Sequence, residues 1–248
     1  MINPVKREPI LNIPGVVSAL IVLFAVIHAM RVYLLSPLQR NAFDSVLAFN
    51  PLRYEQTALI GGPLPGGFGA DIWTFVTYAF IHADLVHLAV NSVWLLPFGS
   101  AVARRFGPLR FVVFFLVTAA AGAFAHLLTH GGSSAWMVGA SAAISGTMAA
   151  AMRFAFQRGG PLGFWRYSED EAYRIPALPL SGVLQDARVL GFLAAWFAIN
   201  LIFGLGSLTL SGGDDLIAWQ AHIGGFLAGL LLFALFDPAP TQRGFGAG

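Results

Sequence analysis

The chain has 248 residues, of which 57% are hydrophobic and only 10% charged, against about a quarter charged in an ordinary soluble domain. So much apolar surface needs lipid, which excludes a water-soluble globular domain. A net charge of +2 is too small to suggest a nucleic-acid partner, and the absence of cysteine excludes a disulfide framework, a thiolate nucleophile and a cysteine-ligated metal.

Apolar runs of about 20 residues, the length that crosses a bilayer core, begin near Val16, Ile72, Leu109, Trp136, Val189 and Leu216. They predict an all-α membrane protein: a six-transmembrane-helix bundle over residues 14–236, between a cytoplasmic segment 1–13 and a disordered cytoplasmic tail 237–248. The first span follows Lys6 and Arg7, yet it is too long for a signal peptide and lacks a clear small-residue cleavage site, so it reads as retained. The outer loop from Ser36 to Asp71 mixes Phe43, Leu47 and Phe49 with Pro51, Pro63 and Pro65 and is expected to fold onto the outer leaflet. The loop from Gly159 to Ala187, carrying Glu169, Asp170 and Glu171, is expected to be cytoplasmic and mobile.

Charge sets the orientation. Lys6 and Arg7 precede span one, Arg104, Arg105 and Arg110 lie between spans two and three, and Arg153, Arg158, Arg166, Arg174 and Arg188 flank the loop between four and five. The other side holds only Arg31, Arg40 and Arg53, so the positive-inside rule puts both termini in the cytoplasm. Residues early in spans two, four and six then lie at the outer side. Three polar clusters sit there: His82, His87 and Asn91; Ser141 and Ser145; and His222. Polar side chains at membrane depth are costly and face the bundle interior or a water-filled cavity, so their convergence at one depth marks a site.

Serine becomes a useful nucleophile when a positioned base takes its proton, and histidine is the usual base. Ser141 and His222 are the natural pair. Acidic residues lie in loops or tails, Asp84 at the outer end of span two being the nearest, which favours a two-residue dyad over a triad. Acyl transfer also needs donors for the developing oxyanion. His87 and Asn91 are four residues apart and share a helical face, and a backbone N–H at the start of span four adds a further donor. His82, five positions before His87, points elsewhere and suits a structural hydrogen bond. Gly139, Ala140, Ala142, Ala143 and Gly146 around the serines, and Ala221, Gly225 and Gly229 beside His222, allow close helix approach.

Each feature alone has a plainer reading. A membrane serine commonly bonds its own backbone, a small-residue stripe indicates only packing, and His28, His126 and His130 sit near span ends where an interfacial role suffices. A transporter would line a path across the whole bilayer, whereas these residues cluster in its outer half. A zinc enzyme of the H-E-x-x-H kind and an aspartyl protease lack their motifs, Asp214 and Asp215 being consecutive in a loop, so no metal or other cofactor is expected.

In order along the chain, His82 to Asn91 is similar to H-x4-H-x3-N, Gly139-Ala140-Ser141-Ala142 to G-x-S-G, and Ala221-His222-Ile223-Gly224-Gly225 to A-H-x-x-G followed by Gly229. This pattern resembles the rhomboid family of intramembrane serine proteases, in its bacterial six-helix form. The resemblance implies that Ser141 attacks a peptide carbonyl, His222 serves as base and then acid, and His87 and Asn91 bind the oxyanion with His82 in support. It implies transmembrane protein substrates reached within the lipid bilayer, entering past span five beneath a cap formed by Ser207 to Asp215 with Gly212 and Gly213, and a bacterial inner-membrane location. Ala142 replaces the commoner glycine and is expected to crowd the oxyanion site. Thr74, after Trp73, stands where an arginine anchors the outer loop in many members, and Ala103 where glutamate is frequent. The alternative is a catalytically silent family member that binds membrane clients. Substrate identity and oligomeric state are not encoded in these patterns.

Overall fold

A computed structural model describes residues 12–55, 62–134, 136–163, 169–204 and 218–238. Its helices are α1 (Gly15–Ala29), α2 (Pro37–Leu47), α3 (Gly67–Thr77), α4 (Leu85–Trp94), α5 (Ser100–Phe106), α6 (Pro108–His130), α7 (Ser141–Met152), α8 (Glu169–Ala172), α9 (Leu180–Val183), α10 (Ala187–Gly204) and α11 (Trp219–Phe236). Among the described residues, four helical stretches are long and apolar enough to cross a membrane: Gly15–Leu34, Leu85–Phe106, Pro108–His130 and Trp219–Phe236. The shorter apolar helices α7 and α10 stand where spans four and five are expected.

Two expected span starts move inward along the chain. The second does not begin near Ile72, because α3 is a separate helix and the chain breaks between Ile81 and Asp84. Asp84 restarts it: its Oδ1 accepts the His87 backbone N–H at 2.8 Å, the N-cap arrangement that opens α4. The fourth begins at Ser141 rather than Trp136. Before it, Met137 exchanges backbone hydrogen bonds with Phe49 at 3.1 and 2.8 Å, and Gly139 adopts φ +113°, a conformation that favours glycine.

The short helix α7 is the centre of the bundle. From Ala142 to Met152 every residue is buried. A helix enclosed by protein rather than lipid must pack through small side chains, and the sequence supplies them on its neighbours. A Cβ at Gly225 would meet the backbone of Ala142, and one at Gly229 would lie 2.6 Å from the Gly146 Cα. On the other flank, a Cβ at Gly146 would sit 2.6 Å from Thr118 of α6, and one at Gly122 the same close way, 2.5 Å, from the Ala142 methyl. The glycines therefore fix the separations of α6, α7 and α11.

At the C-terminal ends of α5 and α11, Arg105 pairs with Asp237 at 2.8 Å, both side chains essentially inaccessible, and donates to the carbonyls of Tyr173 and Ile175. Arg153 donates to the carbonyls of Leu178 and Leu230. These contacts bear on two expectations. Asp237, the first residue of the expected tail, is held by Arg105; residues 239–248 lie outside the described residues, as do 1–11. The described part of the Gly159 to Ala187 loop is folded onto the bundle, with Ala172, Ala177 and Val183 buried, because the two arginines need its carbonyls. Ala103 is buried, and two residues further on Arg105 finds its carboxylate in Asp237.

The stretch from Ser36 to Asp71 carries its own anchor. Arg53 donates to the carbonyls of Ser45 and Pro65 at 2.8 and 2.9 Å and pairs with Asp71 at 3.4 Å. It supplies from the loop the charge that Thr74 lacks; Thr74 bonds the Ala70 carbonyl instead. Arg31 ties the end of the first span to α2 through Asp44 at 2.6 Å.

Candidate active site

The C-terminal ends of α5, α7 and α11 share the arginine cluster, and the N-terminal ends of α7 and α11, with α4, bring the polar residues together. Ser141 is the first residue of α7 and His222 lies in the first turn of α11. The small-residue seam holds the two backbones close enough for Ser141 Oγ and His222 Nε2 to be hydrogen bonded at 2.7 Å. Both residues are only partly buried, so the pair is reachable.

Ser145, one turn further along, behaves differently. It is 3% exposed and donates its hydroxyl to the Ser141 carbonyl at 2.8 Å. That is the back-bonding of an ordinary helical serine.

No side chain caps α7. The N–H groups of its first residues have no partner within the helix and form the positive end of the helix dipole beside Ser141. His87 packs edge-on to the loop before Ser141: a Cβ at Gly139 would lie 2.6 Å from its Cε1 and Nε2. Its ring is also within electrostatic range of His222. Asn91, 3% exposed, donates Nδ2 to the His87 carbonyl at 2.8 Å, and its buried Oδ1 has no partner. Among the described residues, neither His87 nor Asn91 is hydrogen bonded to Ser141 or His222.

His82 corrects its expectation. It lies in the break before α4, not on the helix, and the structural bonds run to its backbone: His28 Nδ1 and Arg31 contact its carbonyl at 3.2 and 2.7 Å. Its ring, fully buried, has neither nitrogen bonded and packs between Phe24 and His87, with centroids 5.1 and 5.3 Å away. The His82 ring thus packs edge-to-face against that of His87. Ala142 is a second correction, for its methyl faces Gly122 of α6 rather than an open oxyanion site. Asp84 is occupied as the cap of α4 and does not stand behind His222.

What stands there is Asn200 of α10, which sequence reasoning passed over. Its Oδ1 is hydrogen bonded to His222 Nδ1, and its Nδ2 donates to the Trp196 carbonyl at 2.8 Å. The signal was present: an asparagine near the outer end of an otherwise apolar span, at the depth of the other polar residues. Ser207 to Asp215, the expected cap, lies outside the described residues.

A family model described as the Rhomboid domain matches residues 69–238. The chain is similar to curated proteins named Rhomboid protease GlpG. It is 25% identical over 162 residues to that of Enterobacter sp. (strain 638), covering 65% of this chain and 48% of the relative. Identity to that of Klebsiella pneumoniae (strain 342) is 26% over 164 residues, covering 65% and 48%. With that of Yersinia pestis (strain Pestoides F) it is 27% over 173 residues, covering 70% and 51%. The matched part spans about half the length of these relatives.

Proposed function

Since this chain belongs to the rhomboid family, we propose that it is an intramembrane serine endopeptidase that cuts transmembrane segments of other membrane proteins, with Ser141 as nucleophile and His222 as base. The observation that carries the reading is the 2.7 Å hydrogen bond between Ser141 Oγ and His222 Nε2 at the end of a glycine-packed, partly open seam.

In this reading Ser141 Oγ attacks the scissile carbonyl carbon while His222 Nε2 takes the hydroxyl proton. The carbonyl oxygen becomes an oxyanion, met by the unpaired N–H groups at the start of α7 and by His87, with Asn91 beside it. His222 then gives its proton to the leaving amine as the C–N bond breaks. Water, deprotonated by the same imidazole, releases the acyl group and restores the Ser141 hydroxyl. The positive-inside pattern supports a multi-pass inner-membrane protein with cytoplasmic termini and an outward-facing site.

The test is cleavage of a panel of transmembrane substrates by the purified protein in proteoliposomes. Cleavage by the parent and none by Ser141→Ala or His222→Ala is expected. Binding of those substrates without cleavage would instead favour a silent client-binding protein.

A further inference from the structure

Asn200 is one of two buried residues in the stretch from Trp196 to Ile202; the residues between and after them are exposed on the outer face of α10. The two lie one turn apart and attach the outer half of α10 to α11. Trp196 stacks on Phe226, centroids 4.8 Å apart, and Asn200 bonds His222. Around them α10 otherwise leaves an apolar groove lined by Leu193, Phe197, Ile223 and Leu227.

The bond at Trp196 settles which way the Asn200 amide faces. Its NH2 group is turned to the Trp196 carbonyl at 2.8 Å, so Oδ1, an acceptor only, is the atom presented to His222 Nδ1. That contact is satisfied only when Nδ1 carries the proton. Nε2 then offers a lone pair, and Nε2 is the atom 2.7 Å from Ser141 Oγ. The opposite tautomer would set two acceptors against each other at Nδ1, and its Nε2–H would donate to Ser141 Oγ instead of accepting the hydroxyl proton.

We propose that Asn200 is a positioning residue that holds His222 in the Nδ1–H tautomer and ring orientation needed to accept the Ser141 proton, and that it thereby makes the reactivity of the pair depend on where α10 stands. The inference rests on the Ser141–His222 reading above. A shift of α10 away from α11 breaks the bond to His222 without touching Ser141, so a helix that contributes nothing to the reacting atoms still sets the competence of the base.

The experiment is the pH dependence of kcat and KM for one fluorogenic transmembrane substrate in proteoliposomes, comparing the parent with Asn200→Ala, Asn200→Asp and Ser141→Ala. Asn200→Ala is expected to lower kcat by about 10- to 100-fold, the size of effect seen when a histidine loses its orienting partner, with KM little changed. Asn200→Asp accepts from the same N–H and should restore most of kcat. Its carboxylate favours the imidazolium, so the rising limb of the pH–rate profile should move to higher pH. Among the described residues, the titratable group that acts on His222 from another element is His87 of α4, which is unchanged in every variant, so the limb reports on position 200. An Asn200→Ala protein with the parent's kcat and profile overturns the proposal, as does an Asn200→Asp protein whose limb does not move. Cleavage surviving in Ser141→Ala overturns the underlying reading instead.

Discussion

Ser145 donates its hydroxyl to the carbonyl of Ser141 at 2.8 Å, whereas the Ser141 hydroxyl itself meets His222 at 2.7 Å. Two serines on one face of α7 thus have separate tasks, one serving the helix and one facing the base. Ser141→Ala is expected to abolish cleavage and labelling by a serine-directed phosphonate. Ser145→Ala removes a side-chain-to-backbone bond worth about 1 kcal/mol and should keep a measurable fraction of both. Loss in Ser145→Ala with survival in Ser141→Ala would reverse the assignment.

The glycine seam predicts effects of opposite sign at two glycines. At Gly229 a methyl would enter the backbone of Gly146, and overpacking of this kind costs about 1–3 kcal/mol. Gly229→Ala should therefore lower the melting temperature and, by parting α7 from α11, reduce phosphonate labelling of Ser141. At Gly191, in the second turn of α10, a Cβ meets nothing within 4 Å, so Gly191→Ala should be neutral or stabilise the helix by up to about 1 kcal/mol. Ala142→Gly, from the position of its methyl against Gly122, should lose stability and gain no rate. Thermal unfolding with labelling measured in parallel separates these outcomes.

Ser141, His222 and the small residues between them were legible because each is a local departure from an apolar helix, and depth alone brings them together. The break at His82 was not. A continuous apolar run conceals it, and it depends on the local cap that Asp84 gives α4 and on Arg31 and His28 holding the His82 carbonyl from 51 and 54 residues away. The same reason hid the role of Arg53, whose partners Ser45 and Pro65 are brought together only by the folded loop. Asn200 was visible as a polar residue, but its partner was not, because nothing in the spacing of α10 says which of its faces meets α11. The direction of the Ala142 methyl likewise follows from the α6–α7 crossing, which residue type does not encode.

Arg105 and Asp237 offer a stability test away from the site. Their side chains are 0% and 1% exposed, and removing one partner of such a pair leaves a buried charge at a cost on the order of 3 kcal/mol. Asp237→Ala should destabilise strongly. Replacing both, with Arg105→Met and Asp237→Leu, should recover part of the loss, although the Tyr173 and Ile175 carbonyls then lose their donor. A double variant less stable than either single change would contradict the pairing.

The outer loop depends on Arg53 in a way a lysine cannot reproduce. One guanidinium nitrogen bridges the Ser45 and Pro65 carbonyls while another reaches Asp71, a fork that an ammonium does not match. Both Arg53→Ala and Arg53→Lys should speed limited proteolysis of the outer loop. Unchanged protection in both would assign the anchoring to Trp73, whose indole N–H donates to Val46 at 2.9 Å.

The oxyanion assignment makes the most demanding prediction, because the resting geometry gives each candidate a different standing. The His87 ring lies against Gly139, two residues before Ser141, with no hydrogen bond to either member of the pair. Asn91 already donates to the His87 carbonyl, so its first effect is to fix the helix turn that carries His87. The N–H groups of α7 remain whatever happens at either side chain. Loss of a single donor costs about 10²–10³ in turnover when no other replaces it. His87→Ala should approach that range, and Asn91→Ala should fall short of it, with the double variant close to His87→Ala alone. KM should change little in all three, since the donors act on charge that develops only in the transition state. Equal and fully additive losses would mean that Asn91 contacts the oxyanion directly, and full turnover in the double variant would leave the stabilisation to the α7 backbone alone.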